Sequence, residues 1–246
     1  MDGRDAVRHN PNDAMIPLHD DNPTSITPLV TVALIGACVL VFLWQLGQGP
    51  GRQEQVIYGL GMIPAVLFGK VQLNPELVRV TPALTLVTSM FMHGGWLHLI
   101  GNMLYLWIFG NNVEDAMGHG RFIAFYLLCG LAAALAQALP DPGSTIPMVG
   151  ASGAISGVLG AYLLLYPRAR VLVLIPFGIF TQLVRLPAVW VLGFWFVVQL
   201  LSGAASVGRH GGVAFGAHVG GFLTGVALIP LFRHRHVALF NPLRRG

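Results

Sequence analysis

The sequence predicts an all-α, polytopic membrane protein built as a bundle of six transmembrane helices. Three observations carry the prediction. First, 54% of the 246 residues are hydrophobic and 10% are charged, against roughly 25% charged in soluble domains. Second, the apolar residues gather into six long runs. Third, Lys and Arg are distributed unequally between the segments that join those runs. So apolar a chain cannot cover a water-facing surface, and lipid must be its solvent.

Residues 1–27 are polar, rich in Pro, Asn and Asp, and hold no apolar stretch of signal-peptide type. They are expected to form a mobile cytoplasmic tail. The runs occupy about 28–46, 96–110, 121–139, 152–167, 186–202 and 213–232, and a spanning helix needs about 20 residues. A membrane domain over 28–232 follows, with a basic cytoplasmic tail at 233–246. The outer loop, 47–95, is too long to be structureless and is expected to carry short helices on or in the outer leaflet, an ordinary loop being the alternative. A seventh apolar piece, 171–180, is too short to span and contains Pro176, so it reads as an interfacial or re-entrant connection. Strands are not expected, because the runs lack period-2 alternation.

With the N-terminus inside, the inner segments hold Arg4, Arg8, Arg121, Arg168, Arg170, Arg185, Arg233, Arg235, Arg244 and Arg245. The outer segments hold Arg52, Lys70, Arg79 and Arg209. That bias places both termini in the cytoplasm. The formal charge of +4 comes without a basic run, so no nucleic-acid partner is expected. Cys38 and Cys129 fall inside apolar runs and read as packing residues, without a disulfide.

Polar residues inside the spans are the informative ones. No Asp, Glu or Lys lies in the core of any run. What remains is His98 and Asn102 in the second, Ser152 and Ser156 in the fourth, and His218 in the sixth. These three runs all pass from outside to inside, so the polar residues near their starts share one depth. His98 and Asn102, four apart, share a helix face. Gly153 and Gly157 in the fourth run, and Gly216 and Gly220 in the sixth, have the small-xxx-small spacing that lets two backbones approach closely.

Taken singly, Ser152 reads as a capping residue, while His218 and Asn102 read as interhelical hydrogen-bonders. Together they point to nucleophilic catalysis. A serine hydroxyl needs a base to take its proton, and histidine is the usual base near neutral pH. With no carboxylate to orient it, the pair would be a dyad. Asn102, His98 and the backbone around Gly150 and Ser152 could donate to an oxyanion. Ser156, His93, His119 and His210 read as packing, loop or interfacial residues. No metal is expected.

Three segments, 88–115 (TSMFMHGGWLHLIGNMLYLWIFGNNVED), 149–162 (VGASGAISGVLGAY) and 215–225 (FGAHVGGFLTG), occur in an order that resembles the rhomboid family. The resemblance covers about 84–232. It implies a six-helix rhomboid-like bundle with Ser152 as nucleophile, His218 as base and His98 and Asn102 on the oxyanion side. It further implies a wet cavity open to the outer side, transmembrane proteins as substrates, a lateral entrance beside the fifth helix, and no cofactor. The chain departs from the family's pattern at two places. Leu84 and Thr85 stand where many members have Trp-Arg. Ser156 stands where several have an aromatic residue against the catalytic histidine, so something else must orient His218. The rival readings are a non-catalytic rhomboid-like protein that binds transmembrane helices, and a transporter or channel using His93, His98, His210 and His218 for a metal. The expected location is a prokaryotic plasma membrane. The sequence is silent on oligomeric state.

Overall fold

The computed structural model describes residues 15–177, 180–205 and 213–240. Arg4, Arg8, Arg209, His210, Arg244 and Arg245 lie outside those residues.

Helix α1 (Leu29–Gly47) is continuous apolar sequence. It buries Thr31, Leu34, Cys38, Phe42 and Gln45, a stripe at three-to-four spacing, and turns Leu40 and Trp44 outward. Its opening N–H groups, on Val30 and Thr31, donate to Glu114 at 2.9 and 2.8 Å, which satisfies donors the helix itself cannot. The outer loop holds short helices, α2 (Pro50–Leu60), α3 (Pro64–Leu67) and α4 (Thr85–Thr88), among 3-10 turns. Without a Trp-Arg pair the loop is tied down by other means. The Thr88 hydroxyl donates to Leu60 O at 2.6 Å, and Met62 pairs with Met148 through both backbone bonds.

Helix α5 (Trp96–Met117) is longer than its run and takes in Glu114 and Asp115, both buried. The two carboxylates lie past the end of the apolar run 96–110, whose core holds none. Glu114 is tolerated there because it caps α1 and also meets His119 Nδ1 at 2.6 Å. Helix α6 (His119–Ala138) follows after Gly118. Next comes α7 (Ser152–Leu165), which is buried at every position from Gly153 to Tyr162 and is the centre of the bundle. Helices α8 (Ala188–Ala205) and α9 (Phe215–Phe232) complete it.

The strand-free expectation is overturned. β1 (Ile16–Asp20), β2 (Arg170–Phe177) and β3 (Phe180–Pro187) form an antiparallel sheet in the order β1-β2-β3. Val171 and Val173 are fully buried, while Leu172 and Leu174, which alternate with them, are half-buried. That alternation is a strand's, hidden in the sequence because both faces are apolar. The segment read as a re-entrant connection is this hairpin, and α8 starts after it. The described part of the N-terminal segment is not a loose tail either. Asp20 accepts from the Tyr162 hydroxyl at 2.5 Å and from Asn112 Nδ2 at 3.2 Å. Residues 233–240 also fold back, with His234 N donating to Ala116 O and Phe240 N to Leu164 O.

The helices face outward with bare apolar side chains, among them Leu97 at 87% exposure and Leu231 at 77%. Such a surface is stable against lipid, and the chain is an integral membrane protein. Among the described residues, four helices, α1, α6, α8 and α9, are long and apolar enough to cross a bilayer. The segment Pro82–Phe91 with α5, bent by 80°, makes a fifth. The expected count of six is not reached by length, because α7 has only 14 residues, about 21 Å of rise against a core about 30 Å thick.

Candidate active site

The site lies where α7 begins. Gly150 has φ +126°, a conformation open to glycine and strained for other residues. A Cβ there would also lie 2.7 Å from His98 Nε2. The glycine thus turns the chain into α7 and lets His98 lie against the turn. Ser152 is the first residue of the helix, and its Oγ is 2.8 Å from His218 Nε2 on α9.

Backbone proximity makes that distance reachable. A Cβ on Gly221 would overlap the carbonyl oxygen of Gly153, and one on Gly225 would overlap that of Gly157. Helices α7 and α9 therefore touch main chain to main chain. The glycines expected to make this contact do so only in part. Gly153 and Gly157 lie in the α7–α9 seam and also meet Ala133 and Cys129 of α6. Gly216 and Gly220 face Gln137 and Ala136 of α6 instead. Successive glycine pairs on α9 thus serve two neighbours. Gly221 and Gly225, the pair that makes the seam, have the same small-residue spacing as Gly216 and Gly220.

His218 is held on three sides. Its Nδ1 lies 2.7 Å from Gln199 Oε1 of α8. The Trp195 ring tilts over it at 5.9 Å between centroids, and Phe215 meets it edge-on at 6.5 Å. Ser156, in the position where an aromatic residue was missed, is buried and donates to Ser152 O at 2.7 Å. Gln199 carried no signal in the sequence beyond being an amide in an apolar helix.

The α5 side supplies donors. Gly94 N donates to His98 Nδ1 at 3.4 Å, which leaves the proton of the neutral ring on Nε2, at the edge of the ring that lies against Gly150. Asn102 is 8% exposed, and its Nδ2 is buried with no hydrogen-bond partner. An orphaned buried donor costs about 1–3 kcal/mol, and such groups persist where function uses them. The Gly150 N–H is not such a donor, because it is given to Ser89 O at 2.8 Å. The free-donor expectation therefore fails for Gly150 and rests on the first turn of α7, whose N–H groups have no intrahelical acceptor. A cavity of about 1150 Å³ joins these groups, lined by His98, Asn102, Ser152, Ser156, Trp195 and His218 among others. His93 stands behind His98, with ring centroids 5.2 Å apart, its backbone clamped by Gln45. His119 is spent on Glu114.

The family model for the Rhomboid domain matches residues 81–235. The chain is 30% identical over 192 residues to Rhomboid protein 1, mitochondrial, of Saccharomyces cerevisiae, covering 70% of this chain and 52% of the yeast protein. It is 36% identical over 143 residues to Rhomboid protease GluP of Bacillus subtilis, covering 58% and 25%. To the human Presenilin-associated rhomboid-like protein, mitochondrial, it is 32% identical over 152 residues, covering 60% and 36%. The chain spans about half the length of the yeast relative and less of the other two. Two of these three are named as mitochondrial, which lends no support to the prokaryotic plasma membrane expected from sequence.

Proposed function

The chain belongs to the rhomboid family, and from that premise we propose that it is a serine endopeptidase that cleaves transmembrane proteins in or near their spanning segments. The observation that carries the proposal is the 2.8 Å approach of Ser152 Oγ to His218 Nε2, within the reach a base needs.

In the proposed reaction His218 Nε2 takes the hydroxyl proton as Ser152 Oγ attacks the scissile carbonyl carbon. The carbonyl oxygen gains the negative charge and is met by Asn102 Nδ2–H, His98 Nε2–H and an N–H of the first turn of α7. The imidazolium then passes its proton to the departing amine, and the C–N bond breaks. Water, deprotonated by the same histidine, attacks the acyl carbon, the C–Oγ bond breaks, and the imidazolium returns the proton to Ser152 Oγ. Each oxyanion donor in such a site is worth about 2.7–4 kcal/mol in the transition state.

The proposal includes six crossing segments, with α7 as the short one. A helix sheathed by its neighbours meets little lipid and need not match the bilayer's thickness. Starting α7 below the outer surface would bring Ser152 to a depth that the cavity connects with water. Both termini are cytoplasmic in this arrangement, and the cavity opens outward. Substrates with weak helix formers near the scissile bond fit best, because an intact helix keeps its carbonyls hydrogen-bonded.

The test is cleavage of a single-span test substrate in proteoliposomes. Wild-type protein is expected to cut it, and Ser152→Ala and His218→Ala are each expected to lose the activity. Cleavage at the wild-type rate by either variant would end the proposal.

A further inference from the structure

We propose that Gln199 is the positioning residue for the His218 base, fixing its tautomer from α8; this rests on the endopeptidase reading. Gln199 is 9% exposed and stands on an otherwise apolar helix that turns Trp190, Phe194, Val197 and Leu201 outward and Gln199 inward. A buried amide on such a helix is costly unless hydrogen-bonded. Its Oε1 lies 2.7 Å from His218 Nδ1.

The chemistry of the pair is asymmetric. An amide oxygen only accepts, so Nδ1 must carry the ring's proton, and Nε2, 2.8 Å from Ser152 Oγ, is left bare to receive the hydroxyl proton. The opposite tautomer would aim an N–H at Oγ and could not act as base. When Nε2 takes the proton, the imidazolium's other N–H already has its acceptor. Gln199 thus does what a carboxylate does in a triad, orienting the ring and accepting from it, without bringing a charge into an apolar bundle. The stacking residue absent at Ser156 is replaced by this bond together with Trp195, also from α8. Base orientation therefore depends on where α8 sits, and α8 is the least buried of the four long crossing helices.

The experiment compares Gln199→Leu and Gln199→Glu with wild type in proteoliposomes. It is paired with ¹⁵N spectra of histidine-labelled protein, in which the His218 signals are identified by their loss in His218→Gln. Leucine removes the acceptor at similar volume. Its kcat is expected to fall about 10–100-fold, as for loss of a hydrogen bond to a charged group, with KM within a few-fold of wild type. Glutamate restores an acceptor and is expected to recover most of the rate. The wild-type spectrum is expected to show protonated Nδ1 and bare Nε2, and Gln199→Leu a mixture of tautomers.

Equal rates for leucine and wild type, a glutamate variant as poor as the leucine one, or a wild-type ring protonated at Nε2 would each overturn the proposal. If Gln199→Leu does not fold, the wild-type spectrum and the glutamate variant still decide it. A wild-type protein that shows the expected tautomer yet cleaves nothing would instead sink the endopeptidase reading.

Discussion

A methyl group placed one turn below the catalytic pair should act as a wedge. In Gly221→Ala the new Cβ would overlap the carbonyl oxygen of Gly153 and lie 3.0 Å from its carbonyl carbon and 3.4 Å from Ala133 Cβ. Carbon atoms rest at about 3.5–4.0 Å from one another, and the overlap with the oxygen is the tighter limit, so α7 and α9 must part by roughly 1 Å at this level. The obstacle is main chain, which cannot swing aside as a side chain does. Gly153 adjoins Ser152, and Gly221 is three residues from His218. Transmitted in full, the parting would stretch the 2.8 Å Oγ–Nε2 contact beyond the ~3.2 Å at which proton transfer is supported. Misplacement of about 1 Å costs about 10²-fold in rate, and overpacking costs about 1–3 kcal/mol of stability. Cleavage in proteoliposomes is expected to fall about 10–100-fold, and the melting temperature of a Ser152→Ala, Gly221→Ala double variant should drop below that of Ser152→Ala alone. Gly36→Ala is the control, since a Cβ there meets nothing within 4 Å. A Gly221→Ala protein with wild-type cleavage and melting would refute the claim that backbone contact sets the dyad.

Asn102→Ala removes a proposed oxyanion donor. It is expected to lower kcat about 10²–10³-fold with little change in KM, as measured by initial rates over substrate density. Asp20 offers a pH test. Burial pushes its carboxyl up to about 6, against the opposing hydrogen bond from Tyr162. The folded chain therefore holds this proton more tightly than the unfolded chain, whose carboxyl titrates near ~3.9. Its contribution to stability is full below about pH 4, is lost as pH rises to about 6, and is constant above. Melting temperatures across that window should decline in wild type, and Asp20→Asn should remove this part of the slope.

Much of the bundle was legible because lipid leaves a plain mark: long runs without charge, each interrupted only where a polar group has work. Ser152, His218, His98 and Asn102 stood out for that reason, and the structure brings all four to one cavity. The sheet was not legible, since alternation vanishes when both faces of a strand are apolar, as at Val171 to Leu174. Gln199 was hidden because an amide's partner depends on the rotation of α8 about its axis, which continuous apolar sequence does not record. The glycine pairs were seen, but whether Gly216 or Gly221 faces α7 turns on a rotation of roughly 100° per residue, which spacing alone cannot assign to a neighbour. Glu114 lay beyond the end of an apolar run, and only the start of α1, far off in sequence, explains its burial.

The most direct measurement is covalent labelling of the purified wild-type protein in lipid with a fluorophosphonate, mapped by mass spectrometry. The account predicts one modified serine, Ser152, and loss of the label in His218→Ala with the fold retained. An unlabelled wild-type protein that melts cooperatively, or a label that persists without His218, would contradict it.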